Sequence, residues 1–212
     1  MTTIEIYGRL LEHAAGGVHD GHVRTAAGLP AALPLRRWLA PAAPADLLVV
    51  ERAAAPVLDV GCGPGRMLAA LEAHGRAATG IDVSPVAVRL AQRRGHALRA
   101  SVFSPRVPVA AWASVLLLDG NIGIGGRPEA LLARARDLIA ADGAVLVEAA
   151  PPGRPTRRER VRLETRGAMS PWFGWATVGI DGIAPLARAA GLRCAEVLTC
   201  DGRWFARLER PR

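Results

Sequence analysis

The sequence predicts an α/β protein on a doubly wound seven-stranded sheet. The sheet is mostly parallel with an antiparallel last strand, helices cover both faces, and an N-terminal helical cap and an inserted hairpin are added. Three observations carry this expectation. Short apolar runs alternate with helix-like stretches through the middle of the chain. A glycine cluster closes the first of those runs, in VLDVGCGPGRM. The chain ends on a strand, an Asp-Gly turn signal and a second strand. Continuous apolar strands spaced by helices belong to a parallel sheet covered on both sides, and a two-residue Asp-Gly loop joins antiparallel neighbours.

Ile4 to Ala14 has helical spacing, with Ile4, Tyr7, Leu10, Leu11 and Ala14 on one face, and Gly16 and Gly17 stop it. His19 to Pro34 reads as irregular and glycine-rich. Leu35–Leu39 and Asp46–Ala53 read as short helices separated by Pro41 and Pro44, with Asp46 as the expected N-cap of the second. The core then alternates. Val57–Val60 is a strand and Arg66–His74 a helix. Ala77–Ile81 is a strand ending on Asp82, and Ser84 and Pro85 open a helix through Arg94. Ala97–Ser101 and Trp112–Leu118 are strands, the second ending on Asp119. Pro128–Ala140 is a helix and Ala144–Glu148 a strand.

After Pro151 and Pro152 the rhythm changes. Arg160, Arg162 and Glu164 alternate with Val161, Leu163 and Thr165, which predicts a strand with one polar face. Gly167 turns it back into Met169–Trp175. Val178–Ala190 reads as a helix ended by Gly191, then Leu192–Thr199 and Arg203–Glu209 as strands about the Asp201-Gly202 turn. The expected organisation is one domain over 1-212. It has a cap over 1-55, a core over 56-150, and the hairpin with the rest of the sheet over 151-212.

Composition narrows the classes. The 212 residues are half hydrophobic and 22% charged, which describes a folded chain. The net charge is +8 and every basic residue is arginine. No basic run interleaves with aromatics, so a nucleic-acid partner is not the expectation. Cys194 and Cys200 share one predicted strand at a separation of roughly 20 Å, too far to bridge. With Cys62 they suggest a reducing, cytoplasmic setting. The N-terminal segment lacks the apolar core of a signal peptide, and the apolar runs are too short to span a bilayer. No metal site is expected: His19-Asp20-Gly21-His22 has no third cluster to complete it.

The chemistry concentrates at strand ends. In Asp59-Val60-Gly61-Cys62-Gly63-Pro64-Gly65 the glycines let a ligand approach the backbone. The helix that follows presents free N–H groups to a carboxylate, and Asp59 suits a cationic ligand end. A dinucleotide fingerprint wants G-x-G-x-x-G; here the third glycine comes one residue early and Arg66 stands at the dinucleotide position. Asp82, 17 residues beyond Gly65, ends the next strand where ribose hydroxyls are held in doubly wound folds. Val83 follows it. Asp119-Gly120-Asn121 opens a glycine-rich loop at the expected switch point of the sheet.

These motifs resemble the [D/E]-x-G-x-G-x-G and G-[I/V]-D-x-S signatures of the class I S-adenosylmethionine (SAM)-dependent methyltransferases, over roughly Pro56–Glu148. As a whole the chain is similar to the small stand-alone bacterial type. The resemblance implies SAM as cofactor and a transferase. It implies that Asp59, Gly61, Cys62, Gly63, Gly65, Asp82, Val83, Ser101, Val102, Phe103, Asp119, Gly120 and Asn121 line the cofactor. Ser101 departs from the family, which usually places an acid there for the adenine amino group. The absence of an [N/D]-P-P-[Y/F] motif after Asp119 argues against base methylation.

Methyl transfer from a sulfonium needs positioning and water exclusion more than a fixed catalytic set. His13, His19, His22 and Asn121 are the candidate catalytic groups. Arg127, Trp172 and Trp175 are the candidate substrate contacts, with Arg154 a further cation at the rim. The expected acceptor is a small molecule; an RNA or protein acceptor, or SAM binding without catalysis, are the alternatives.

Overall fold

The computed structural model describes residues 1–28 and 30–211. Helix α1 (Thr3–Ala15) opens with a capping box: the Glu5 N–H donates to Thr2 Oγ1 at 3.2 Å and the Thr2 N–H to the Glu5 carboxylate at 2.7 Å. It buries Ile6, Leu10, Leu11 and Ala14. Strands β1 (His22–Thr25) and β2 (Pro30–Ala32) follow, then helices α2 (Leu35–Leu39) and α3 (Pro44–Arg52). The core runs β3 (Val57–Val60), α4 (Arg66–Ala73), β4 (Ala78–Asp82), α5 (Pro85–Ala91), β5 (Ala97–Arg99), β6 (Trp112–Leu117), α6 (Pro128–Leu138) and β7 (Ile139–Ala149). The chain finishes with β8 (Arg157–Glu164), β9 (Phe173–Thr177), α7 (Ile183–Ala189), β10 (Arg193–Cys200) and β11 (Arg203–Glu209).

Seven strands form the main sheet in the order β10-β11-β7-β6-β3-β4-β5. β3 pairs in parallel with β4 and β6, whereas β11 runs antiparallel to β7 and β10. The period of two divides each strand between the faces. Leu58, Val60, Val115 and Leu117 pack with Leu131, Leu138 and Ile183. Val57, Leu116 and Leu118 pack with Val49, Val50, Met67 and Leu71. The chain fills one side of β3 through β4 and β5, then returns to β6 on the other side. The carboxyl ends of β3 and β6 therefore diverge into a crevice.

The cap departs from expectation. The stretch His19–Pro34 is not irregular throughout: β1 and β2 join β8 and β9 in a second sheet, ordered β2-β1-β8-β9. β1 pairs Val23 with Leu163, 140 residues away; a strand made by so distant a partner leaves little local signal. The N-cap of α3 is Ala43 rather than Asp46, with Pro44 in the first helical turn. Asp46 lies in the first turn, where its carboxylate accepts the Ala43 N–H at 2.8 Å. β5 stops at Arg99, short of Ser101, and α6 ends at Leu138, where β7 begins early by pairing Ile139 with Trp112. Helix α7 starts only at Ile183, after a 3-10 turn over Ile180–Gly182. The Gly167 turn holds, with Thr165 N–H donating to Ala168 O at 2.8 Å.

A buried charge network ties these layers together. Arg66, 4% exposed, pairs with Asp46 and, at 2.6 Å, with Asp119. Arg203 grips Glu148 with two bonds, Nε to Oε1 at 2.8 Å and Nη2 to Oε2 at 2.7 Å, and reaches Asp46 at 2.6 Å. Arg37 of α2 closes on Asp119 at 2.7 Å. Three arginines thus meet three carboxylates from the cap, α4, and the ends of β6, β7 and β11. Burial alone would raise the Asp46 and Glu148 carboxyls, but hydrogen bonds from the arginines outweigh it and hold both below their ordinary range. A cation in the first turn of α4 opposes the helix dipole; the two carboxylates beside Arg66 remove that penalty. Arg66→Met leaves Asp46 and Asp119 underpaired, and urea unfolding is expected to show a loss of about 3–5 kcal/mol. The exposed Arg89–Glu12 pair, cut by Arg89→Ala, is expected to cost below about 1 kcal/mol.

Candidate cofactor-binding site

The glycine loop at the end of β3 is built to bring backbone close to a ligand. Gly61, Gly63 and Gly65 have φ of 69°, 52° and 88°, a region that L side chains enter only at a cost. At Gly65 a Cβ would also stand 2.8 Å from the Ala91 backbone, so glycine is required there for α4 to start against α5. The Gly61 and Cys62 N–H groups both donate to Ile81 O, at 2.8 and 3.1 Å, and lock the loop to β4. Cys62 points under the loop: Gly80 leaves space for its Sγ and for Leu68. Burial pushes its thiol well above the ordinary value. Cys62 therefore withholds both its N–H and its sulfur from a ligand and leaves only the second lone pair of its carbonyl, which already accepts the Gly65 N–H at 3.0 Å.

Asp82 lies beneath the loop, 6% exposed. Its Oδ2 accepts the Gly63 N–H at 3.1 Å and its Oδ1 the Ser84 N–H at 2.8 Å. The Val83 N–H also bonds it, and a carboxylate with about four acceptor sites keeps room for a hydroxyl donor. Burial raises its pKa, and the backbone bonds pull the other way. Beside it Val83 is 42% exposed and Phe103 50% exposed. Two apolar side chains left open at adjacent strand ends make walls for a flat ring.

Ser101 Oγ is turned to the Phe103 N–H at 3.3 Å and holds that wall in place. Val102 is expected to offer the cofactor its backbone N–H, not its side chain. It is buried in the core beneath, and its carbonyl accepts Arg134 Nε at 2.9 Å.

Asp59 lies in β3, next to its last residue, at 3% exposure. Burial first, then Asp119, Asp82 and Asp46, raise its pKa to about 7, against the lowering pull of Arg66. A buried carboxyl poised near neutrality suits a site that receives a cation. Asp119 does not offer its carboxylate to the crevice, because Arg37 and Arg66 hold both oxygens. It takes a left-handed φ of 53°, fixed by its N–H donating to Glu148 Oε2 at 2.7 Å. This turn swings Gly120 and Asn121 over the glycine loop. Asn121 Nδ2 donates to Val60 O at 2.8 Å and Gly61 O at 3.0 Å, and a Cβ on Gly61 would collide with it.

Tyr7 was legible only as a helix-face residue. It sits over the loop: a Cβ on Gly63 would lie 3.3 Å from its hydroxyl. Burial, then Asp82, Cys62 and Asp119, hold its phenol well above the ordinary pKa, so it stays protonated. Gly8 lets α1 close on Ser84 and Val86 and so sets the position of Tyr7.

The other candidates scatter. His13 is exposed at the end of α1, and His22 bonds the Asp20 carbonyl at 3.1 Å. His19 lines a separate cavity. Among the described residues, none of the three forms a hydrogen bond to the glycine loop. Trp175 does approach the Asn121 turn: it bridges Ile124, and Gly123 leaves room for its ring. Trp172 lies instead under Arg162, 4.9 Å from guanidinium to ring, and Arg127 is exposed at the start of α6. Arg154 is likewise exposed. Among the described residues, no group of three metal-ligating side chains is assembled, and no helix is long and apolar enough to cross a membrane.

Comparison with known proteins matches this site to a methyltransferase domain. The family model described as a methyltransferase domain matches residues 57–112, the segment that holds the glycine loop, Asp82 and the Val83–Phe103 walls. Residues 57–112 thus resemble a methyltransferase domain, and the solved structures extend the likeness of fold to the rest of the chain. No curated protein matches. Among solved structures, a SAM-dependent methyltransferase from Bacteroides fragilis in complex with S-adenosyl-L-homocysteine (SAH) superposes with a TM-score of 0.82 at 19% identity, covering 99% of this chain and 94% of that one. The 1,6-didemethyltoxoflavin-N1-methyltransferase of Burkholderia thailandensis gives 0.60 at 21% identity, over 80% of this chain and 77% of the other. An amino pentose methyltransferase from Micromonospora echinaspora gives 0.59 at 18%, over 79% and 90%. At these identities the likeness is one of fold, and it extends through the methyltransferase's antiparallel sheet ending.

The Asp59 carboxyl supplies a pH test. SAM carries its cations in this pH range, so a cofactor seated beside Asp59 would favour the ionised carboxylate and release a proton wherever the free protein holds one. SAM affinity, measured by calorimetry, is expected to rise with pH through about 7 and then level. Asp59→Asn should flatten that profile. Its raised folded pKa makes the Asp59 contribution to stability largest below the ordinary carboxylate range and lost as pH rises through about 7. Asp59→Asn should therefore raise the melting temperature at pH 8 while weakening SAM binding.

Proposed function

We propose that this domain transfers the methyl group of SAM to a small-molecule acceptor. The observation that carries the reading is the closure of the crevice. The glycine loop and Asp82 form its floor, Tyr7 of α1 covers the loop, and the second sheet brings Trp175 against the Asn121 turn. This roof suits a small acceptor better than a polymer. The named acceptors of similar folds, a toxoflavin precursor and amino sugars, support the same class.

The bound cofactor supplies an electrophilic methyl group on a sulfonium, a centre with its leaving group already in place. We assign Asp82 to the ribose hydroxyls and Val83 and Phe103 to the adenine faces. The carbonyls of Gly61, Cys62 and Gly63 and the backbone of Gly120 would carry the methionine end, with Asp59 facing its cationic groups. Asn121 spends its amide donor on the loop and so keeps its carbonyl oxygen for a donor on cofactor or acceptor. Tyr7 excludes water above the loop and offers a protonated hydroxyl. A roofed site of this kind gains its rate from alignment and water exclusion.

The arginine-rich surface motivates the alternative of an RNA acceptor. Twelve arginines are already in ion pairs with carboxylates, which leaves less free charge than the composition suggests. A gel shift with RNA that falls steeply with salt would favour that alternative.

SAM and SAH at about 100 times their dissociation constants are each expected to raise the melting temperature by about 5–10 °C. NAD should leave it unchanged; a shift with NAD and none with SAM contradicts the reading. Tyr7→Phe should retain most SAH affinity, whereas Tyr7→Ala, which opens the roof, should lower it by about tenfold. Calorimetry on both variants checks this pair.

A further inference from the structure

A second cavity of about 470 Å³ lies between the cap and the core, away from the crevice. Its lining shares only Pro64 with the glycine loop. His19 and Arg36 come from the cap, and Leu90, Arg93 and Arg94 from α5 and the turn after it. Three arginines therefore line one space, and among the described residues that line it there is no carboxylate. This contrasts with the buried network beside it, where three arginines are matched by three acids. Arg94 donates one bond across the gap, Nη2 to Leu39 O at 2.7 Å, and keeps its remaining N–H groups. Arg36 and Arg93 are exposed and form no ion pair with any described residue. His19 Nδ1 is buried and has no hydrogen-bond partner.

A cavity with this lining has a defined complement. Converging guanidinium forks match the planar or tetrahedral oxygens of carboxylate and phosphate groups. The volume lies in the range of small-molecule sites and exceeds what a single inorganic ion fills. Like charges from cap and core facing each other repel; a polyanion between them turns that repulsion into a bridge.

We propose that this cavity is a binding site for a small polyanion with clustered phosphate or carboxylate groups, held by Arg36, Arg93, Arg94 and His19, and that its occupancy fastens the cap to the core. The site is separate from the methyl-transfer crevice, and its test needs no cofactor, so its failure would leave the methyltransferase reading untouched.

Pyrophosphate and citrate are the two probes, titrated calorimetrically into the full chain without SAM. At least one is expected to bind with one-site saturation and to raise the melting temperature; the stronger identifies phosphate or carboxylate as the preferred group. Arg36→Ala combined with Arg93→Ala should weaken binding by about tenfold or more. Both residues are exposed, so circular dichroism should show the double variant folded. Arg188→Ala, on the exposed face of α7, serves as the charge control and should leave the affinity within about twofold. Absence of saturable binding by either probe at millimolar concentration overturns the proposal. So does equal weakening by Arg188→Ala, which would mark the binding as a general effect of net charge.

Discussion

The structure turns on the pairing of Arg66 with Asp46 and Asp119. This one guanidinium, nearly free of solvent contact, joins the first turn of the loop's helix to the cap on one side and to the end of β6 on the other. Arg203 repeats the linkage through Glu148 and Asp46. Because both Asp119 oxygens are held, its backbone can stay in a left-handed turn that costs of order 1–3 kcal/mol. That turn aims Asn121 at the glycine loop. The geometry of the crevice is thus set by charges that do not themselves line it. Buried ion pairs are weak evidence for net stability; here their effect is on shape, since they tie Asp46 of the cap helix α3 to Asp119 and Glu148 at the ends of β6 and β7.

The crevice separates holding from positioning. Loop carbonyls and Asp82 are available to a ligand, whereas the loop N–H groups of Gly61, Cys62 and Gly63, the Asp119 carboxylate, the Cys62 thiol and the Asn121 amide donor are spent on the protein itself. Asp59 lies between these cases. It is buried and near its midpoint at neutral pH, which costs stability in the free protein and favours a cationic guest. The second sheet and α1 then supply the roof. β8 and β9 come from after the core and β1 and β2 from before it, so the roof forms only when both ends of the chain have met.

Much of this was legible in the sequence because its causes are local. The glycine spacing after Asp59, the Ser84-Pro85 helix start and the Asp201-Gly202 turn each act within a few residues, and each predicted element is present. The illegible part depends on distant partners. β1 exists because it pairs with β8. Asp46 looked like an N-cap because its sequence neighbourhood shows no sign of Arg66 or Arg203. Asp119 looked like a cofactor ligand for the same reason. Val102 read as a strand-exit residue, while its side chain is drawn into the core under β5. Tyr7, marked only by helical spacing, acquires a role from Gly8, which lets α1 approach α5 closely enough to place the phenol over Gly63.

The central claim is that the cofactor lies on the loop after β3, against Asp82 and the Val83–Phe103 walls. Hydrogen–deuterium exchange with and without saturating SAH addresses it most directly. Peptides covering 57–67, 80–86 and 100–104 should slow together, with the N-terminal peptide around Tyr7 slowing as the roof settles. Protection confined to another surface, or calorimetric binding with no change in these peptides, would contradict the account.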